Sequence, residues 1–174
     1  MDLRFDTQTF HNLFTDMASK FGLVAESPTD EQLVYRNKVT VLTLFREQSD
    51  GCFYPSITDI STTTPKEYAF LVVMAIRNPE YRRNYKILDP VLSLEDNITA
   101  DAKQLIEVLE KHCNDMLRGE FKRIEQEGYD NLTKYIQEQI PFVIRLPEED
   151  PIRQKFWDGD LSWTTDLKGR EKNR

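Results

Sequence analysis

Two histidines and two cysteines are the residues of this chain best suited to metal binding or nucleophilic catalysis. His112 and Cys113 are neighbours in a segment with helical periodicity. Adjacent helical residues point about 100° apart, so this imidazole and this thiol do not face each other. Cys113 falls on the apolar stripe, where a small buried thiol is common, and His11 has no second ligand at metal-binding spacing. The pattern therefore predicts neither a catalytic residue nor a metal ligand here.

Asp158-Gly159-Asp160 begins like a calcium-binding loop. Such a loop also needs further oxygen ligands and a glutamate at its twelfth position, which here is Gly169. The acidic run Glu148-Glu149-Asp150 is of a kind that is usually only solvated. We therefore expect turns with solvated carboxylates, without a bound metal or cofactor.

Arg82-Arg83, flanked by tyrosines at 81 and 85, is a pattern that can contact phosphate or stack on bases. The chain has 30 acidic and 23 basic residues and a net charge of −7, whereas nucleic-acid binding needs a basic face. The favoured interpretation is a solvated connector, with no nucleic-acid partner. The sequence has no glycine-rich phosphate loop and no serine nucleophile elbow, but it leaves open an enzyme whose carboxylates converge only in three dimensions.

These side chains must be positioned by a sheet that the sequence places in residues 33–60. Residues 39–46 alternate with a period of two, which indicates a strand. Asp50-Gly51 follows, and this dipeptide between two strand-like runs predicts a hairpin. Residues 33–35 can pair back across the preceding turn, and residues 23–25 can begin another strand. The prediction is an antiparallel meander of three to five strands.

Three segments have apolar residues at helical spacing, at 6–20, 65–77 and 94–118. Thr64-Pro65-Lys66-Glu67 fits a capping box with proline at the first helical position, and it predicts the start of the second helix. Gly119 is expected to end the third helix. Four side chains on these apolar faces are predicted to be buried: Leu71, Met74, Leu105 and Leu109. The fold class is therefore α+β, with the meander covered by an N-terminal helix and a C-terminal group of helices.

Shorter helices are predicted around 121–125 and 130–140, with Pro141 ending the second. Residues 142–146 suit either a late edge strand or an extended crossing. From Pro147 the composition becomes acidic and aromatic. We predict one α+β domain over 1–146 and a partly disordered tail over 147–174.

The first ten residues lack the cationic and apolar pattern of a secretory signal, and no run of about 18 apolar residues exists. Cys52 and Cys113 are therefore expected to be reduced thiols. The sequence predicts a cytoplasmic protein without a membrane partner.

Three short stretches carry a family resemblance: Phe21-Gly22-Leu23, Val34-Tyr35-Arg36-Asn37, and the run from Cys113 to Phe121. Together with the helix–strands–helices order, residues 1–125 resemble small uncharacterised bacterial proteins. Some of these are immunity proteins, which neutralise a toxin made by the same or a neighbouring cell. The resemblance implies an inhibitory binding function, and it carries over no site residue.

Trp157 and Trp163 lie outside the periodic elements and close to carboxylates. Exposed aromatics with a charged rim form a plausible hot spot, here for a basic protein partner. The residues predicted to contact that partner are Glu148, Glu149, Asp150, Trp157, Asp158, Asp160 and Trp163. The alternative is that Phe156 and Trp157 fill a gap between helix and sheet.

The sequence thus favours a non-enzymatic cytoplasmic protein-binding module, such as an immunity-type inhibitor. A small carboxylate-based enzyme and a self-associating structural subunit are the alternatives. The oligomeric state is left open.

Overall fold

A computed structural model describes residues 7–27, 29, 31–46, 53–81 and 93–172. Within these ranges the chain has eight helices and one five-stranded antiparallel sheet. The predicted α+β fold is therefore confirmed, with the strands in one meander, a helix before it and helices after it. None of the helices in these ranges is long and apolar enough to cross a membrane.

The five strands lie in the sheet in the order in which they occur along the chain. They are β1 (Val24–Ala25), β2 (Gln32–Arg36), β3 (Thr40–Arg46), β4 (Phe53–Asp59) and β5 (Lys66–Ala69). In the central strand, Leu42 pairs with Tyr35 on one side and with Ile57 on the other. All three side chains are fully buried. Because side chains alternate between the two faces of a strand, this row belongs to the face that is packed against the core.

The turn between β2 and β3 is held by one side chain. The Asn37 carboxamide oxygen accepts hydrogen bonds from the backbone N–H groups of Val39 (2.9 Å) and Thr40 (2.8 Å). Asparagine commonly mimics a backbone turn in this way. The predicted Asp50-Gly51 hairpin lies outside the described residues, but Arg46 and Phe53 on either side of it pair as antiparallel neighbours.

The capping-box prediction at residues 64–67 is wrong. Lys66–Ala69 is strand β5, and helix α2 (Phe70–Arg77) begins only after it. Tyr68 pairs with Ile57 of β4, is buried, and stacks on Phe121 with a centroid separation of 5.3 Å. A helix cap is worth about 1 kcal/mol, and this pairing and burial outweigh it.

The contacts divide the chain into two compact units, and the first consists of Met1–Phe70 with Arg83–Arg123. It contains the sheet together with helices α1 (Thr7–Lys20), α3 (Leu94–His112) and α4 (Asn114–Leu117). The helix predicted over 94–118 is thus two helices, which meet at the buried residue Cys113. Phe10 of α1 stacks on Phe53 of β4 at 4.2 Å. The predicted core residues Leu105 and Leu109 are confirmed, since both are buried.

Gly119 fixes the approach of the segment after α4 to the sheet. Its φ is +85°, and a Cβ added to it would overlap the Val39 side chain. Beside it, the Thr40 hydroxyl donates a 3.1 Å hydrogen bond to the Met116 carbonyl. Only glycine adopts this backbone conformation readily and leaves room for the neighbour.

The second unit consists of Leu71–Arg82 and Ile124–Arg174. It includes helices α6 (Tyr129–Val143), α7 (Pro151–Trp157) and α8 (Trp163–Lys172). Helix α5 (Lys122–Gln126) begins in the first unit and ends in the second. Its core cluster comprises Val143, Ile152, Trp163 and Leu167. Met74 is buried as predicted, whereas Leu71 is only partly buried, so that prediction is wrong. Arg77 and Glu127 form an ion pair of 2.6 Å.

Residues 142–146 form neither an edge strand nor an extended crossing. Helix α6 includes Pro141 and continues to Val143, and a turn follows it. Pro141 therefore does not end the helix as predicted, although it cannot donate the hydrogen bond to the carbonyl four residues before it. The segment predicted as a partly disordered tail contains α7, α8 and three of the four residues of this core cluster. The division of the chain after residue 146 stays a prediction.

Candidate protein-interaction surface

Asp150 organises the start of α7. Its carboxylate caps the helix by accepting a 2.9 Å hydrogen bond from the Ile152 N–H, and Pro151 occupies the first turn. The same carboxylate accepts two hydrogen bonds from Arg170 of α8, at 2.7 and 3.1 Å. Hydrogen bonding from this guanidinium holds the pKa of Asp150 below its ordinary range. Asp150, predicted as a partner contact, is therefore occupied in joining two helices.

Trp163 is a core residue. Its side chain is fully buried, and its ring lies edge-on to Phe156 at 5.9 Å. It therefore has no surface to offer a partner in this fold. The sequence contains a weak signal for the burial of Trp163. Trp163 and Leu167 are four residues apart, as are Ile152 and Phe156. Each pair lies on one face of its helix.

Trp157 is the exposed tryptophan. It is the last residue of α7, and 65% of its surface is exposed. Its ring lies at 67° to that of Phe156, with 5.1 Å between the centroids. Phe156 in turn packs against the core cluster of the second unit. Ring contacts thus connect the buried Trp163 through Phe156 to Trp157 at the surface.

The turn Asp158-Gly159-Asp160 ends α7 in a regular way. The Asp160 N–H donates to the Lys155 carbonyl at 2.9 Å, and the Gly159 N–H donates to the Phe156 carbonyl at 3.2 Å. Gly159 has a φ of +68°. This is the Schellman arrangement, in which a left-handed glycine closes a helix. The prediction of a turn is confirmed, and the turn fixes Asp158 beside Trp157.

The basic side chains of α7 are engaged within the unit. Lys155 forms a 2.6 Å ion pair with Asp166 of α8. Arg153 donates a 2.7 Å hydrogen bond to the Leu146 carbonyl and lies 3.8 Å from the carboxylate of Glu148. The two positive charges of α7 are therefore held by groups within the second unit.

The acidic side chains of the predicted interface are less engaged. Glu149 and Asp158 are exposed and form no ion pair with another described residue. The side chain of Glu148 is 85% exposed despite its long contact with Arg153. Asp160 is partly buried, and its carboxylate accepts a 2.9 Å hydrogen bond from the Ser162 N–H. Negative charge therefore remains available around this helix.

The predicted contact residues lie at both ends of α7. Glu148 and Glu149 precede the helix, whereas Asp158 and Asp160 follow Trp157. Seven helical residues span about 10 Å. We call Trp157, Asp158 and Asp160 the Trp157 surface, and the two glutamates lie about one helix length away from it.

A small pocket lies between α6 and α8. It encloses about 170 Å³ and is lined by Gln139, Phe142, Leu167, Arg170 and Glu171. Its guanidinium is already paired with Asp150. Burial, followed by the nearby Glu171 carboxylate, raises the pKa of the Tyr135 hydroxyl. The lining lacks a nucleophile with an adjacent base, so it is poorly equipped for covalent catalysis.

The remaining chemical motifs are dispersed. Cys113 is a buried thiol of the first unit, and Cys52 lies outside the described residues. His11 contacts the buried Tyr35, with 3.4 Å between its Nδ1 and the phenol oxygen. Burial raises the pKa of this phenol. Arg82-Arg83 lies outside the described residues.

Groups of three or more side chains that could hold a metal ion are not found in the described part of the chain. Comparisons of the chain with protein-family models, with curated proteins and with solved structures found no match. Function is therefore inferred from the surface chemistry of the second unit.

Proposed function

We propose that this chain is a non-enzymatic, cytoplasmic protein-binding module and that the Trp157 surface contacts its partner. The observation that carries the proposal is the 65% exposure of Trp157 on a helix whose neighbouring aromatics are packed inward. Tryptophan is enriched among the residues that dominate binding energy at interfaces. A solvent-exposed indole of this kind favours a binding role over a packing role.

The helix that carries the anchor is already formed. Asp150 and Arg170 join the start of α7 to α8, and the Trp157 ring contacts that of Phe156. A partner therefore meets an indole on a helix that is fixed within its unit. Preorganisation of this kind reduces the entropic cost of association.

The proposed partner is a basic protein. The whole chain carries a net charge of −7, and Asp158, next to the anchor, forms no ion pair with another described residue. Opposite charge accelerates encounter and selects among partners. Residues 1–125 resemble small bacterial proteins, some of which are immunity proteins, and this extends the proposal to an inhibitor that neutralises a basic toxin.

The small-enzyme alternative is less well supported. The pocket between α6 and α8 is small, about 170 Å³, and its arginine is already engaged by Asp150. The Asp150–Arg170 pair joins α7 to α8. The polar groups that remain in the pocket lining are the Glu171 carboxylate and the Gln139 amide, beside apolar walls.

The test is a pull-down from the source cells with the whole chain as bait, followed by mass spectrometry and by affinity measurement with the purified partner. Trp157→Ala is compared with Val24→Ala, which removes another exposed apolar side chain, 70% exposed, from the first unit. We expect Trp157→Ala to weaken binding at least about 30-fold, the equivalent of a hot spot of about 2 kcal/mol. Val24→Ala should bind like the wild type.

The proposal fails if Trp157→Ala binds the partner as tightly as the wild type. It also fails if the two alanine variants lose the same affinity, because the effect would then be unspecific. Circular dichroism of each variant ensures that folded proteins are compared.

A further inference from the structure

The chemistry of the Trp157 surface identifies the group that it binds. Resting on the proposed function, we infer that an arginine side chain of the partner stacks on the indole of Trp157 and is neutralised by Asp158. The occupant is thus a guanidinium presented by a protein or peptide.

The first argument is the open indole face. The aromatic rings of this chain that have a cation of their own include Phe21, covered by Arg118 at 5.3 Å, and Tyr135, covered by Lys168 at 4.4 Å. Trp157 has a different environment, because among the described residues its ring contacts that of Phe156, with 5.1 Å between the centroids and 67° between the planes, and 65% of the residue is exposed. Tryptophan provides the strongest cation–π site of the aromatic residues. The best such ring of the second unit is therefore open to a cation from outside.

The second argument is the balance of charge next to that ring. Lys155 and Arg153 are the cations of α7, and both are held by partners within the unit. Asp158 follows Trp157 directly, is exposed, and forms no ion pair within the described ranges. Adjacent side chains at a helix end point about 100° apart, so this carboxylate does not face the indole, but the guanidinium of an arginine that lies on the ring can extend to it. Such a cation displaces no salt bridge among the described residues.

The third argument concerns the kind of cation. A guanidinium is planar, stacks on aromatic faces, and is more weakly hydrated than an ammonium group. Its five N–H donors can reach a carboxylate while its plane lies on a ring. Arginine is also enriched at protein interfaces, whereas lysine is depleted there.

The experiment follows the two indole N–H resonances of the ¹⁵N-labelled full chain by NMR. The probes are three capped peptides that differ at one repeated position: Gly-Arg-Gly-Arg-Gly, and the same peptide with citrulline or with lysine. Citrulline keeps the shape of arginine without its charge. Trp157→Phe assigns the exposed resonance, and the buried Trp163 serves as an internal reference.

We expect the arginine peptide to shift the Trp157 resonance saturably and to leave the Trp163 resonance in place. The citrulline peptide should bind about two- to thirtyfold more weakly, the ratio that corresponds to an exposed or a desolvated cation–π contact. Asp158→Asn should weaken the arginine peptide and leave the citrulline peptide unchanged, and added salt should reduce the difference.

Equal binding of the arginine and citrulline peptides would overturn the inference, as would an unmoved Trp157 resonance. A lysine peptide that binds as tightly as the arginine peptide would refute the choice of arginine. These failures are separable from failure of the proposed function. A partner lost on Trp157→Ala without any arginine response leaves the binding module standing and removes only the arginine anchor.

Discussion

Replacing the two tryptophans should have very different effects on folding stability. A tryptophan buries about 150–250 Å², which corresponds to about 4–6 kcal/mol at about 25 cal/mol per Å². Trp163 is fully buried, so Trp163→Ala should destabilise the protein by about 3–5 kcal/mol, the usual cost of removing a large core aromatic. Trp157 is 65% exposed, so Trp157→Ala should cost less than about 1 kcal/mol.

The assay is urea unfolding followed by circular dichroism at 222 nm, because the substitutions themselves alter tryptophan fluorescence. Trp163→Phe provides a variant that keeps a ring in the core and should cost roughly 1–2 kcal/mol. Its indole N–H has no hydrogen-bond partner among the described residues, so no bond is broken by this change. We expect Trp157→Ala to be the most stable of the three variants, Trp163→Phe to be intermediate, and Trp163→Ala to be the least stable.

A Trp163→Ala variant within about 0.5 kcal/mol of the wild type would refute the packing of the second unit. Equal losses of unfolding free energy for Trp157→Ala and Trp163→Ala would refute the assignment of Trp163 to the core and of Trp157 to the surface. In that case Trp157 would be a core residue, and the proposed interface would lose its anchor.

Other substitutions test the remaining contacts. Gly119→Ala should destabilise the protein more than Gly22→Ala does in chemical denaturation. Both glycines have positive φ, but only at Gly119 would the added Cβ meet a neighbouring side chain. Equal losses of about 1–2 kcal/mol would mean that backbone strain is the sole cause. The lowered pKa of Asp150 means that its stabilising effect is complete above the ordinary value of 3.8 and is lost as the pH falls below it. Melting temperatures measured from pH 7 downwards should therefore converge for wild type and Asp150→Asn in acid, and a difference that stays constant with pH would contradict this role of Asp150. Leu105→Ala should cost about 2–5 kcal/mol by urea unfolding, and a loss below about 0.5 kcal/mol would place α3 outside the core.

The sheet was predictable because its signals are local. Residues 40–46 alternate regularly, and the Asn37 turn is encoded by one side chain next to the strand it positions. Strand β5 was missed for the opposite reason. Its capping signal at residues 64–67 is local, whereas the burial of Tyr68 against Phe121 depends on a residue more than fifty positions away. Tertiary packing overrides local preference in such segments.

The candidate site was predictable only in part. The aromatic and acidic composition after residue 147 indicated Trp157 as a contact residue, which stays a prediction. The burial of Trp163 was not evident, because α8 is polar along most of its length and buries few side chains. Its core role depends on packing against Phe156 of α7, a contact with another helix that the sequence of α8 alone does not reveal.

The sequential order of the five strands has a kinetic meaning. Each strand pairs with its neighbour in the chain, so the sheet can assemble by successive closure of short loops, whose entropic cost is small. The contact between Lys20 of α1 and Glu110 of α3 joins residues 90 positions apart. We therefore expect the meander to form early, with its buried face still hydrated, and the docking of α3 to follow as the slower step of folding.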